Sequence, residues 1–189
     1  KKYSYILYGV LAVLVLADMV PVNKRFFGND HFVKAKDADT YFAIQPYEQQ
    51  ILQDKDPNFR VLNLATNTFN DARTSYRLKS IGGYSAAKLR RYQDLIDEHI
   101  SHEMNPLMQT IMQTQGFMLP DANEGKDFPV LNMLNMKYAV VPLQGGKQAP
   151  VQNPYAMGNC WFVDEVVWVD TPDEECAALR TLDLHKQAV

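Results

Sequence analysis

The chain has 189 residues, enough for a core that buries about 70% of the surface its unfolded form exposes. Hydrophobic residues make up 47% and charged residues 22%, which excludes a disordered, collagenous or low-complexity polymer. Nineteen basic against twenty-two acidic side chains give a net charge of −3, which removes the electrostatic basis for sequence-independent nucleic-acid binding, and two cysteines exclude a disulfide scaffold or a four-thiolate zinc centre.

The N-terminus departs from this average. From Tyr3 to Ala17 the sequence YSYILYGVLAVLVLA is uncharged, and extension to Val22 adds only Asp18 and Pro21. About twenty helical residues span the hydrocarbon core of a bilayer, and Tyr3, Tyr5 and Tyr8 crowd one end as interfacial aromatics do. Residues 1–22 are therefore expected to be an apolar helix, the end of a transmembrane span. A signal peptide, for which Leu16-Ala17-Asp18 is a poor cleavage site, and a buried core helix are the alternatives. Lys1 and Lys2 before the run are nearly balanced by Lys24 and Arg25 after it, so the charge bias says little about sidedness.

Residues 23–39 mix charges without a period and are expected to be an irregular linker. A helix is expected over 45–54, with Pro46 in its first turn, followed by a turn at 55–58 and an alternating strand at 59–64. Thr66 to Tyr84 is expected to be a long ordered loop held by Phe69, Tyr76, Ile81 and Tyr84. Ser85 is placed as the cap of a helix running to Ser101, with Ala86, Leu89, Tyr92, Leu95 or Ile96, and His99 on one face. Asn105-Pro106 is expected to start a second helix that Gly116 ends, and Asp127-Phe128-Pro129 to lead into a short helix, VLNMLN. A strand over 137–142 is followed by a loop or hairpin to Gly158. Cys160 to Val169, apolar on both faces, is expected to be a buried strand or two strands turning at Asp164-Glu165, and 172–182 a helix with three acids in its first turn. The period alternates between two and 3.6, so the expected fold class is α+β, a small sheet flanked by helices over residues 23–189.

Two glycines before a helix can leave backbone N–H groups free for an anion, and SIGGYSAAKLRR places Gly82 and Gly83 beside Lys79, Lys88, Arg90 and Arg91. The P-loop and GxGxxG spacings are absent, and a tight turn with solvated basic residues explains the same letters. Arg60, Asp71, Arg73 and Tyr76 form a second polar group, in which a structural arginine–carboxylate pair is the simpler expectation. Glu98, His99, His102 and Glu103 have helical spacing, but HEMNP is not HExxH, and no metal site is assigned; surface positions at a helix end are expected. Cys160 and Cys176 are expected to be small hydrophobes, with a disulfide permitted only by compartment. Met104, Met108, Met112, Met118, Met133 and Met136 are expected to be core fillers.

The phrases ADMVPVNKRFF, ILQDKDPNFRVLNL, FNDARTSYRLKSIGGYSAAKLRRYQDLID, VLNMLNMKYAVVP and GNCWFVDEVVWV together resemble the YfhO family of bacterial multi-spanning membrane proteins, over nearly the whole chain. That resemblance implies kinship with GT-C glycosyltransferases, which use a polyprenyl-phosphate sugar donor on the outer face of the membrane. It implies a piece of a larger protein: the end of one span and part of an extracytoplasmic domain at the bacterial cytoplasmic membrane. The catalytic acid of such enzymes is expected in an early extracytoplasmic loop outside this stretch, so no catalytic residue and no cofactor are assigned. The expected partners are the membrane, the rest of the parent protein, and a glycan or polyprenyl-phosphate. Candidate ligand contacts are Arg60, Arg73, Tyr76, Gly82, Gly83, Tyr84, Lys88 and Arg91. The alternative function is a non-catalytic structural or interaction domain.

Overall fold

A computed structural model describes residues 2–114, 118–119 and 128–189. The expected stops at Gly116 and Asp127 lie outside the described residues. The chain divides into two compact units, Lys1–Ala43 and Ile44–Val189.

In the first unit, α1 (Lys2–Phe26) is one unbroken helix that carries Pro21 inside it and Lys24 and Arg25 in its last turn. Its apolar side chains are exposed on every face, Ile6, Leu7, Val10, Leu11, Val13 and Leu14 among them. A helix apolar all round is buried in a large core or in a membrane, whereas a surface helix keeps one polar face. This one is long and apolar enough to cross a membrane. The expected irregular linker is partly helical: a 3₁₀ turn at Asn29–His31 precedes α2 (Ala35–Tyr41). Charge without periodicity hid α2, which buries no residue and so leaves no apolar stripe to read.

The second unit is α+β. Its sheet has the order β1 (Arg60–Asn63), β2 (Met136–Pro142), β3 (Gln148–Gln152); β1 runs parallel to β2, and β3 returns antiparallel. The β2–β3 connection is the hairpin form of the expected loop, and Gly145 and Gly146 supply its positive φ values of 75° and 73°. Alternation sorts the strand residues into two faces. Val61 and Val140 meet Tyr47 and Ile51 of α3 (Pro46–Ile51), together with Leu78. Leu62, Ala139, Val141 and Val151 meet the other layer, made of Ile96, Ile100, Leu107, Ile111 and the short helix α6 (Pro129–Met133).

That second layer departs from expectation at three places. The main helix begins not at Ser85 but at α4 (Arg90–Leu95), after an extended Leu89. Leu89 is 76% exposed, so the face that was to hold it has nothing to pack on, and an unpacked first turn does not form. The helix then runs without interruption through a π-turn, Ile96–Ile100, into α5 (Ser101–Thr114), which contains Pro106 instead of starting at it. Proline withholds one hydrogen bond from the His102 carbonyl, and complete burial of Leu107 with near-complete burial of Ile111 offsets that loss. Met136 is buried and Met104, Met108 and Met133 pack on the core, but Met112 and Met118 are exposed.

The third departure is the expected buried strand at 160–169. Only β4 (Glu165–Val166) forms, paired in parallel with β5 (Gln187–Ala188), while Phe162 is 101% and Trp168 89% exposed. The apolar pattern is present, but the segment pairs with neither edge of the three-stranded sheet. Val61 bridges Ser80 beyond β1, and Gln152 bridges Met118 beyond β3. The last helix, α7 (Pro172–Ala178), starts at Pro172 as expected but ends four residues short of Leu182; Thr171 is its N-cap, with a full capping box to Glu174.

Three asparagines explain the LNMLNMKY phrase. Asn135 takes φ 58°, a conformation that asparagine tolerates, and so turns the chain from α6 into β2. Its amide donates to the Asn58 carbonyl and to Asn159 Oδ1, and its oxygen accepts from Gly158 N–H. Buried Asn153 donates to Asn132 Oδ1 at 2.7 Å and to the Met136 carbonyl at 2.8 Å, and accepts from Tyr155 N–H at 3.1 Å. Asn153→Ala strips three bonds from a buried site, and is expected to lower the unfolding free energy by about 2 kcal/mol in urea titration.

Candidate functional site

In open α/β sheets a ligand seat forms beyond the carboxyl ends of parallel strands. The carboxyl ends of β1 and β2 open here into a cleft of about 530 Å³, whose lining residues include Tyr47, Asn63, Thr66, Asp71, Arg73, Lys147 and Gln148. α3 supplies Tyr47, the end of β1 supplies Asn63, the loop after it supplies Thr66, Asp71 and Arg73, and the β2–β3 hairpin supplies Lys147 and Gln148.

The walls of the cleft are held by buried polar groups. Glu48, 1% exposed, accepts from the Arg73 guanidinium at 3.3 Å and from Gln45 N–H at 2.6 Å, so one carboxylate caps α3 and pins the loop to it. The same guanidinium donates to the Tyr47 hydroxyl at 3.3 Å; burial, with the Glu48 charge second, pushes that phenol up from its usual range. Asn63 donates to Thr74 Oγ1, and the Asn63 carbonyl accepts from Thr68 Oγ1. Asp71 Oδ1 accepts from Arg73 N–H at 3.2 Å.

Two oxygens in this wall are left over. Thr66 Oγ1 and Asp71 Oδ2 are closed to solvent and have no hydrogen-bond partner among the described residues. Each such orphan costs about 1–3 kcal/mol. On the facing hairpin Lys147 is exposed and makes no ion pair among the described residues.

The residues singled out from the sequence disperse. Arg73 lines the cleft. Arg60 donates to the Leu134 carbonyl at 3.0 Å, Tyr76 lies under the Arg77 guanidinium and is exposed, and Tyr84 is exposed. Lys88 donates to Gln93 and sits over the Phe69 ring, and Arg91 pairs with Glu175. The backbone expectation at the two glycines is corrected. Gly82 N–H donates to Ser80 Oγ at 3.0 Å and Gly83 N–H to the Thr68 carbonyl at 2.7 Å, seven residues before the helix starts, so neither is free to meet an anion. Glycine is required because a Cβ at residue 82 would stand 2.0 Å from the Thr68 carbonyl oxygen, and because Gly83 has φ 111°.

The Glu98–Glu103 stretch is likewise not a plain surface. His99 is buried and its Nε2 lies 2.8 Å from the Cys176 carbonyl and 3.4 Å from Cys176 Sγ. Glu103 accepts from Val130 and Leu131 N–H, both at 3.0 Å, and so caps α6 from a distance. No group of three or more potential metal ligands is found among the described residues. Both cysteines are free thiols. They line an apolar groove of about 1310 Å³ with Leu89, Tyr92, Trp161 and Leu184. Burial, with the Glu98 charge second, raises the Cys176 thiol above its usual range, the reverse of what activates a nucleophile beside a histidine.

Tyr47, Glu48, Thr66 and Lys147 were missed by motif reading because they belong to no local pattern. The rule that would have found them is positional, since they flank the carboxyl ends of two strands that pair in parallel. No family model matches the chain, and no curated protein or solved structure is significantly similar to it.

Proposed function

We propose that the chain is the membrane-anchored, extracytoplasmic accessory domain of a glycosyltransferase-type membrane protein, in which α1 spans the bilayer and the cleft contacts a cell-envelope glycan. α1 carries this reading: it is apolar on every face and fully exposed, so only a hydrocarbon surrounding or another apolar surface stabilises it. The resemblance of the sequence to the YfhO family supplies the polyprenyl-phosphate sugar chemistry, and the cleft supplies hydroxyl-matching groups: an asparagine, a threonine, an aspartate, an arginine and a glutamine on one wall or another. In this reading the domain holds or presents the glycan, and sugar transfer is carried out elsewhere in the parent protein.

Cys160 provides the test, since it is exposed while Cys176 is only partly so. In intact cells expressing the chain with Cys176→Ser, a membrane-impermeant maleimide is expected to label Cys160, and the protein to sediment with membranes and resist carbonate extraction. Labelling only after lysis, or release by carbonate, would sink the proposal.

A second reading is favoured by Phe162 and Trp168, whose near-complete exposure suits a packing surface for another part of the membrane protein. It predicts that Phe162→Ser with Trp168→Ser disrupts assembly of the parent while leaving the fold of this unit intact.

A further inference from the structure

α7 buries none of its residues, whereas α3, α5 and α6 each place two or more side chains in the core. Packing of an apolar face supplies most of the stability of a protein helix, and seven residues are too few to stay helical alone. Contacts with the helix that runs from α4 into the π-turn Ile96–Ile100 take the place of that packing. Arg91 pairs with Glu175, and Arg180 with Glu98. The Arg180 guanidinium also donates to the Glu98 carbonyl at 3.5 Å. In sequence between the two α7 partners lies Cys176, whose carbonyl accepts from His99 Nε2 at 2.8 Å. That carbonyl is in the last turn of α7, where intrahelical donors run out. Glu98 and His99 both belong to the π-turn, a helix irregularity that recurs at functional sites.

All four ion-paired side chains line the apolar groove of about 1310 Å³. Arg91 and Glu98 stand on one wall and Glu175 and Arg180 on the other, so both pairs bridge the groove. The Arg90–Asp94 pair, by contrast, lies within α4 and bridges nothing. The bridging side chains are between 32% and 75% exposed. Pairs this open to water are individually weak and are screened by salt, which suits a latch: they favour closure and still release. The two ends of α7 are unlike. Asp170 and Thr171 before it are exposed, while Leu179 just after it packs against the core, so the helix is anchored at its C-terminal end.

We propose that α7 is a salt-latched flap over the apolar groove, held closed by the Arg91–Glu175 and Arg180–Glu98 pairs, and that it swings about Leu179 to uncover the groove and Cys176 when those pairs part. Opening also releases the His99 bond, but it turns that imidazole toward the widened groove, where water replaces the carbonyl. Few buried contacts are lost, which is the condition for an element to open while the rest of the fold stays intact. The assignment is independent of whether α1 spans a bilayer and of what the cleft at the strand ends contacts.

The test uses the full chain with Cys160→Ser in mild detergent, which leaves Cys176 as its one thiol. Cys176 is labelled with a small and with a bulky neutral maleimide, and the ratio of the bulky to the small rate is followed, because a change in thiolate fraction moves both rates alike. Between about 0.05 M and about 1 M sodium chloride the ratio is expected to rise about three- to tenfold. Arg91→Gln with Arg180→Gln is expected to show the raised ratio already at low salt and to gain nothing more from added salt. Arg91→Glu with Glu175→Arg rebuilds one latch in the opposite polarity and is expected to restore the low ratio and its salt response. Arg90→Gln is expected to change neither. A ratio that ignores salt in the chain with all its ion pairs intact overturns the flap, and that readout does not depend on how any latch variant folds. An equal rise in Arg90→Gln overturns it as well, since the response then comes from general charge. A urea midpoint that falls in step with the ratio does the same, because Cys176 is then reached by unfolding of the whole unit.

Discussion

Glu48→Ala is expected to lower the unfolding free energy by about 3–5 kcal/mol, the cost of breaking a buried ion pair from one side. Glu48 is 1% exposed and Arg73 17%, so the guanidinium left behind has little water to turn to. The same substitution removes the acceptor for Gln45 N–H, which opens the first turn of α3. It also loosens the Arg77 guanidinium, 3.9 Å from the carboxylate. Glu48→Gln separates these contributions, because an amide oxygen still caps the helix while the charge is gone; it is expected to lose about half as much. Both are read from urea midpoints of the full chain in detergent. A loss for Glu48→Ala within about 0.5 kcal/mol of zero, the range of ordinary surface changes, would show that the pair does not hold the cleft wall.

The consequence for the cleft is direct. Arg73 and Asp71 share one loop, and Asp71 Oδ1 is fixed by Arg73 N–H. Releasing Arg73 therefore also loosens the Asp71 carboxylate in the cleft wall, so Glu48→Ala is expected to disorder that loop as well as destabilise the fold. Arg73 is thus a positioning residue, which is the structural role that an arginine beside a strand most often has.

How much of this was legible in the sequence depends on whether the determinant was local. Pro46 at the first turn of α3, the β1 alternation, Pro129 ahead of α6 and the acids after Pro172 in α7 are all short-range signals, and each element starts within a residue of where those signals placed it, although α3 and α7 end a few residues early. The failures share a cause. Leu89 and the 160–169 segment carry the right periodicities, but a periodicity becomes an element only if tertiary structure offers a partner surface, and both lack one. Conversely, Glu103 reads as one of several helical acids, yet it closes the N-terminus of α6 twenty-seven residues away in the chain. Phe128, the residue at the helix N-cap, has no side-chain acceptor to do so. The cleft was invisible for the same reason: its residues come from α3, a loop and a hairpin, and only the parallel pairing of β1 with β2 brings them together.

That remote cap sets the pH dependence of the fold. Burial pushes the Glu103 carboxyl up to about 7, and the two N–H bonds from Leu131 and Val130 only partly oppose this. In the unfolded chain the group titrates near 4.5. The folded state thus holds the proton more tightly, and its advantage is complete below pH 4.5 and falls away as pH rises to about 7. The integrated loss is about 3 kcal/mol. Asp54 acts in the opposite direction. Its bonds from Lys137 first, then from Asp56 N–H and the Tyr138 hydroxyl, lower it from 3.8 to about 2, so the stability it contributes is present above pH 3.8 and disappears as pH falls through about 2. These two groups place maximal stability near pH 4, and predict a decline from there toward neutrality as well as toward strong acid. Urea midpoints from pH 1.5 to 8 are the measurement, with Glu103→Gln as the decisive variant, since an amide cannot titrate. In that variant the decline between pH 4.5 and 7 is expected to flatten while the acid limb set by Asp54 persists; an unchanged slope would assign the decline to another group.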